Sequence, residues 1–171
     1  MKEKTMQEAN ERPRNTEAVK MKLRSYGKLQ RKIDYQITRL ENLVETIDTL
    51  PSTNFSGMPS GTHDGTTKAE RYVERKDELE RKIDRMIQEE QELRKELEDL
   101  IALLDNPDEQ AILEIKYIDG VDWPDVSWSL FHEADDYEEN PERYMKRTFR
   151  IHGVALQRLA AVYPAKTPCP A

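Results

Sequence analysis

Two stretches of this 171-residue chain repeat apolar side chains in alternating steps of three and four, and no other feature restricts the fold as strongly. In the first, Tyr26, Ile33, Leu40 and Ile47 make one row, and Leu23, Gln30, Ile37 and Val44 the other. In the second, Tyr72, Leu79, Met86, Leu93 and Leu100 alternate with Lys76, Ile83, Glu90, Leu97 and Leu104. A helix with so narrow an apolar stripe buries it only against another helix. Thr16 is a suitable N-cap and Pro51 a suitable stop for the first helix, which would be roughly 50 Å long at 1.5 Å per residue. Residues 51–66 hold two Pro, three Gly, three Ser and three Thr, so helix cannot persist there and a flexible loop is expected. Residues 16–104 therefore predict a long antiparallel helical hairpin. An intermolecular coiled coil satisfies the same pattern.

Composition narrows the class. Charged residues make up 36% of the chain and hydrophobic ones also 36%. Ordinary soluble domains hold about 25% and about 45–50%, so a thick closed α/β core is disfavoured. No segment alternates as a strand does, and the expected fold class is all-α. No apolar run approaches the roughly 18 residues of a membrane helix, and Met1-Lys2-Glu3-Lys4 begins no signal sequence. A cytoplasmic protein is expected. Cys169, the single cysteine, can form neither an internal disulfide nor a cysteine metal site. Residues 1–15 are polar and aperiodic and predict disorder. Residues 164–171 read as a proline-rich tail.

Residues 105–163 predict a third unit. Asn106 is a good N-cap, Pro107 suits the first helical position, and Glu109 can close a capping box. Ala111, Ile112, Ile115 and Ile118 form an apolar face flanked by Leu113 and Tyr117, and Gly120 stops the helix. Asp122 caps a short second helix carrying Trp123, Val126, Leu130 and Phe131. Trp123 and Trp128 read as core anchors, with Trp128 out of phase. An acidic irregular stretch, His132 to Glu142, precedes a long helix opened by Asn140-Pro141. Tyr144, Thr148, Ile151, Ala155, Leu159 and Val162 make its inner face, widened by Met145, Phe149, His152 and Leu156. A helix, a glycine turn, a short helix and a basic helix is the layout of a helix-turn-helix.

Charge is distributed to match. The net charge is −7, yet residues 105–142 carry one basic residue and 13 acids, while residues 143–171 carry six basic residues and no acid. Adjoining acidic and basic blocks imply two surfaces with different partners. A final helix that enters the major groove needs donors for phosphates and base edges on its outer face. Lys146, Arg147 and Arg150 stand where base contacts would form, and Arg143 and Arg158 suit phosphates. A solvated basic face of an amphipathic helix gives the same pattern.

Ile115-Lys116-Tyr117-Ile118-Asp119-Gly120, with Trp123 and Val126, resembles the first two helices of a sigma-factor region 4 helix-turn-helix. The run from Tyr144 to Leu156 resembles its recognition helix. The ending Arg150-Ile151-His152-Gly153, then Ala155-Leu156, is similar to phage late-gene transcriptional regulators of the ArpU/RinA type. Leu23-Arg24-Ser25-Tyr26 and the loop Ser56-Gly57-Met58-Pro59 resemble the same group, over about residues 19–160. The resemblance implies a phage or prophage activator of late genes that binds double-stranded DNA and acts with host RNA polymerase in the bacterial cytoplasm. The acidic insert and Pro124, where the region 4 motif often has an acid, depart from that motif.

Other constellations are weaker. His132, Glu133, Asp135 and Asp136 lack the spaced oxygens and turn glycine of a calcium loop, and no metal site is expected. His152 reads as a packed core residue. Lys20, Lys22, Arg24, Lys28, Arg31 and Lys32 could follow a DNA backbone, or belong to an ordinary coiled-coil surface. Nucleophile elbow, phosphate loop, zinc spacing and dinucleotide fingerprint are all missing, so neither an enzyme nor a cofactor is expected. A protein-interaction adaptor docking on RNA polymerase is the alternative, and a small terminase-like DNA-packaging subunit a third reading. The hairpin could also build a homo-oligomer.

Overall fold

The computed structural model describes the backbone of residues 2–49 and 68–163, and the side chains of residues 16–49 and 69–163. Every regular element among them is helical: α1 (Lys2–Asp48), α2 (Lys68–Ile101), α3 (Pro107–Leu113) running into a π-helical turn (Glu114–Ile118), α4 (Trp123–Phe131) and α5 (Pro141–Val162). The protein is all-α, with a long antiparallel helical hairpin formed by α1 and α2. None of these helices is long and apolar enough to cross a membrane. The expected loop at 51–66, the tail at 164–171 and Cys169 lie outside the described residues.

α1 does not start at Thr16 as expected. It begins at Lys2 and runs through Pro13. Residues 2–12 lack an apolar stripe, but Glu, Lys, Gln, Met and Ala are strong intrinsic helix formers. The missing periodicity removed a reason for packing and not the local preference for helix.

The chain divides into two compact units, and the division crosses the hairpin instead of falling at residue 104. One unit comprises Met1–Lys28 with Gln91–Ala171, and the other Leu29–Glu90. In the second, Gln36 on α1 accepts from Lys82 Nζ on α2 at 3.5 Å. Its seam contains Ile33, Gln36, Leu43, Leu79 and Ile83, each still 6–9% exposed. Two helices cover one stripe and enclose nothing further. On α2 Leu79, Ile83 and Leu97 are buried as expected, whereas Leu100 is half-buried and its neighbour Ile101, outside both rows, is fully buried. On α1 the second row shifts by one: Gln36 and Leu43 are buried, while Ile37 is 36% exposed and Val44 half-buried. The slip is to the earlier residue, opposite to the advance a straight helix would need against a strict seven-residue repeat, so helix drift is not its cause; at the seam Gln36 meets Lys82 of α2.

In the first unit Lys22 Nζ on α1 meets Glu96 Oε2 on α2 at 2.7 Å. Here α1 and α2 have a third layer above them. Val19, Leu23 and Tyr26 of α1, Leu97 and Ile101 of α2, Leu104, Leu113, Ile118, and Ala155, Leu156, Leu159 and Ala160 of α5 share one core. Val19, Leu23, Tyr26, Leu97 and Ile101 are fully buried. The C-terminal helices are therefore packed on part of the hairpin and do not form a separate domain.

Local chemistry sets the joints. Asn106 Oδ1 accepts from the Asp108 backbone N–H at 2.9 Å, capping α3. Gln110 Nε2 donates to the Leu104 carbonyl at 2.6 Å, tying α3 to the end of α2. Glu109 closes no capping box. Its side chain turns inward, is 4% exposed, and accepts from Arg158. The π turn ends where the Val121 N–H meets the Ile115 carbonyl at 3.1 Å. Gly120 there has φ +72°, a conformation in which a Cβ is strained.

Candidate nucleic-acid interface

α5 is held from three sides. Its inner face buries Tyr144, Thr148, Ala155, Leu156, Leu159 and Ala160. Ile151 is half-buried, whereas Phe149 and Val162, expected inside, are largely exposed. The buried stripe follows the 3.6-residue period and turns toward Leu156 and Ala160 in the second half of the helix.

The acidic insert packs against the first turn of α5. Asp136 accepts from Arg143 Nη1 at 3.0 Å and, through its other oxygen, from the Tyr144 hydroxyl. The Tyr144 ring lies 5.4 Å from Phe131 and 5.2 Å from Tyr137. The hydrogen bond to Asp136, more than any other cause, pushes the Tyr144 hydroxyl above its ordinary pKa. The insert thus forms a buttress that positions the start of α5. Among the described residues no group of three His, Cys, Asp or Glu side chains is placed to hold a metal ion.

His152 anchors the middle of α5. Its Nε2 lies 3.0 Å from the Tyr117 hydroxyl, and its ring is 4.8 Å from Trp123. Burial, reinforced by Lys20, Arg24 and Lys116, lowers its pKa to about 4. At neutral pH the imidazole is uncharged, and it shares a hydrogen bond with the Tyr117 hydroxyl. Trp123 also meets Phe149 edge-on at 5.0 Å and carries Lys116 Nζ at 5.1 Å. Trp128 is not a core anchor: it is 56% exposed and stacks on His132 at 4.4 Å. The buried side of α4 is Val126, Ser127 and Phe131, and Trp128, a further 100° around the helix, falls outside it.

The five basic residues expected to contact DNA divide into two groups. Arg143 is paired with Asp136. Arg147 places its guanidinium 4.7 Å over the Phe131 ring. Arg158 Nη1 lies 2.8 Å from Glu109 Oε1. These three are engaged within the protein. Lys146 and Arg150 are exposed, one helical turn apart, and have no ion pair or hydrogen bond among the described residues. Of the α1 cations, Lys20 pairs with Glu17 at 3.0 Å and Lys22 with Glu96 at 2.7 Å.

Two further residues lie on the same face, Gly153, noted in the sequence only as part of the Arg150-Ile151-His152-Gly153 motif, and Gln157. Steps of four, three and four from Lys146 reach Arg150, Gly153 and Gln157, which form one stripe on α5. Gln157 is exposed. Gly153 sits in mid-helix, where glycine costs roughly 0.5–1 kcal/mol relative to alanine. A Cβ built on it would meet nothing within 4 Å. Charge directs attention to Lys146 and Arg150. Gly153 enters the sequence reading through its motif, and only the helical step beyond the cations could have indicated Gln157.

The class defined here is an all-α protein in which α5 packs with parts of α1 and α2 in one unit, presents an exposed basic face and is buttressed at its start by an acidic insert. Residues 65–138 match a family described as "Protein of unknown function (DUF1492)". The match spans α2 to the acidic insert and stops before α5. No curated protein and no solved structure matches the chain.

Proposed function

We propose that this protein is a sequence-specific DNA-binding transcriptional regulator, an activator of phage or prophage late genes that works beside host RNA polymerase. The observation carrying this reading is the pair Lys146 and Arg150, two uncommitted cations on the outward face of α5. The neighbouring arginines are used to hold that helix in place. A rigidly seated helix presenting unpaired donors is what major-groove readout needs, since arginine can pair two acceptors of guanine and lysine can reach phosphate or guanine. The resemblance of residues 144–156 to a region 4 recognition helix supports the same assignment.

The test is binding of a selected duplex by a Lys146→Ala/Arg150→Ala variant. The double change leaves the core and the three engaged arginines intact, so helicity and Tm should match the parent. Affinity for the selected duplex should fall at least a hundredfold, and the salt slope should shrink by about two charges. Unchanged affinity in the folded variant would refute the assignment.

The adaptor reading is favoured by one observation, the exposed Trp128 on α4. Large aromatic side chains are enriched at protein interfaces. If that reading is correct, Trp128→Ala abolishes co-purification with RNA polymerase and leaves DNA affinity untouched.

A further inference from the structure

Gly153 presents a conflict between local energetics and structure. Glycine weakens the interior of α5, the helix on which the proposed recognition surface depends. Nothing among the described residues requires it: a Cβ at that position meets none of their atoms within 4 Å, and Gly153 takes no left-handed conformation, since Gly120 is the one glycine with positive φ among them. An isolated helical glycine with no internal reason points to something outside the chain that approaches the backbone closely. The stripe it belongs to says what kind of partner that is. Lys146 and Arg150 precede it with free positive charge, and exposed Gln157 follows with an amide able to pair the two adenine acceptor and donor groups of a major groove. Val154 beside it is 37% exposed and offers an aliphatic surface suited to a thymine methyl.

We infer that Gly153 is the point of closest approach between α5 and duplex DNA, and that Gln157 reads a base edge one turn beyond it. This rests on the DNA-binding reading above and adds where the duplex lies: along the Lys146–Arg150–Gly153–Gln157 stripe, and not only over the first two turns of the helix. A side chain at position 153 holds the duplex away and breaks contacts on both sides of it.

The experiment compares the parent full-length chain with Gly153→Ala, Gly153→Leu and Gln157→Ala. The parent is first used to select duplexes from a random pool, and each variant is then titrated against the enriched duplex and a shuffled one. Gly153→Ala should melt at a higher temperature than the parent, because alanine is the better helix former, yet bind the enriched duplex at least tenfold more weakly. Gly153→Leu should lose more. Gln157→Ala should relax preference at one base pair of the enriched sequence and leave the shuffled duplex bound as before. If the parent enriches a motif but Gly153→Ala and Gly153→Leu bind it within twofold of the parent, the close approach is wrong while DNA recognition stands. If the parent enriches no motif, the DNA reading fails and this inference fails with it.

Discussion

Arg158 near the end of α5 and Glu109 in the first turn of α3 are bound to each other at 2.8 Å, across 49 residues of sequence. Glu109 is 4% exposed and Arg158 55%. The second Glu109 oxygen has no hydrogen-bond partner among the described residues. The pair ties the two ends of the C-terminal unit together, at the expense of one desolvated carboxylate oxygen. Removing Arg158 strands the whole carboxylate in the interior. Arg158→Ala should destabilise the protein by about 1–3 kcal/mol, the cost of an unsatisfied buried group, moderated because the arginine is half in solvent. Arg158→Met with Glu109→Leu should recover most of that loss. Urea unfolding of the two variants checks this. A double variant no more stable than Arg158→Ala would mean that the carboxylate is not the source of the cost. Base preference should be unaffected in Arg158→Ala.

His152 should make stability depend on pH. In the unfolded chain the imidazole takes up a proton near pH 6.5. In the folded chain its pKa is about 4, because it is buried and faces Lys20, Arg24 and Lys116. Between those values the unfolded state binds more protons, so stability is full above about pH 6.5 and falls as pH drops toward 4. Allowing for partial solvent access, the loss is of order 1–2 kcal/mol. His152→Gln should flatten this slope in thermal melts taken from pH 7 to pH 4.5. An identical slope in both proteins would place the dependence elsewhere.

The seam of α1 can be tested at two leucine-sized positions. Leu23 is fully buried in the shared core, and Ile37 is 36% exposed on the flank. Leu23→Ala should cost about 2–5 kcal/mol and Ile37→Ala under about 1 kcal/mol. Equal losses in chemical denaturation would restore the strict heptad, in which Ile37 faces α2.

Arg147 should behave differently from its neighbours Lys146 and Arg150. Its guanidinium lies over Phe131, a contact worth about 0.5–1 kcal/mol at a partly exposed site. Arg147→Ala should therefore lower Tm by a few degrees, whereas Lys146→Ala and Arg150→Ala should not. Indistinguishable melting curves for all three would show that the Phe131 contact contributes nothing.

Much of this fold is legible in the sequence wherever the cause is local. Asn106, Pro107 and Gly120 mark helix ends through their own backbone chemistry. The α2 rows can be read because their leucines and isoleucines stand among charged residues. Long-range pairings cannot be read in this way. Nothing near Glu109 shows that it turns away from its cap toward Arg158, and nothing near Asp136 shows that it holds Arg143 and Tyr144. The choice between Gln36 and Ile37 at the seam depends on which side of α1 the facing helix covers, and no single residue records that. For the same reason the basic face of α5 was visible as a count of charges, but not its division into three engaged arginines and two free cations. Trp128 is large enough to suggest burial, but its phase on α4, already off the apolar face in the sequence, sets it outside.

The most direct test of the central claim is a selection of bound duplexes from a random-sequence pool, using the purified full-length protein at moderate salt. The account predicts one enriched motif, lost in the Lys146→Ala/Arg150→Ala variant while its melting curve is retained. A folded, helical parent protein that enriches no sequence would contradict it.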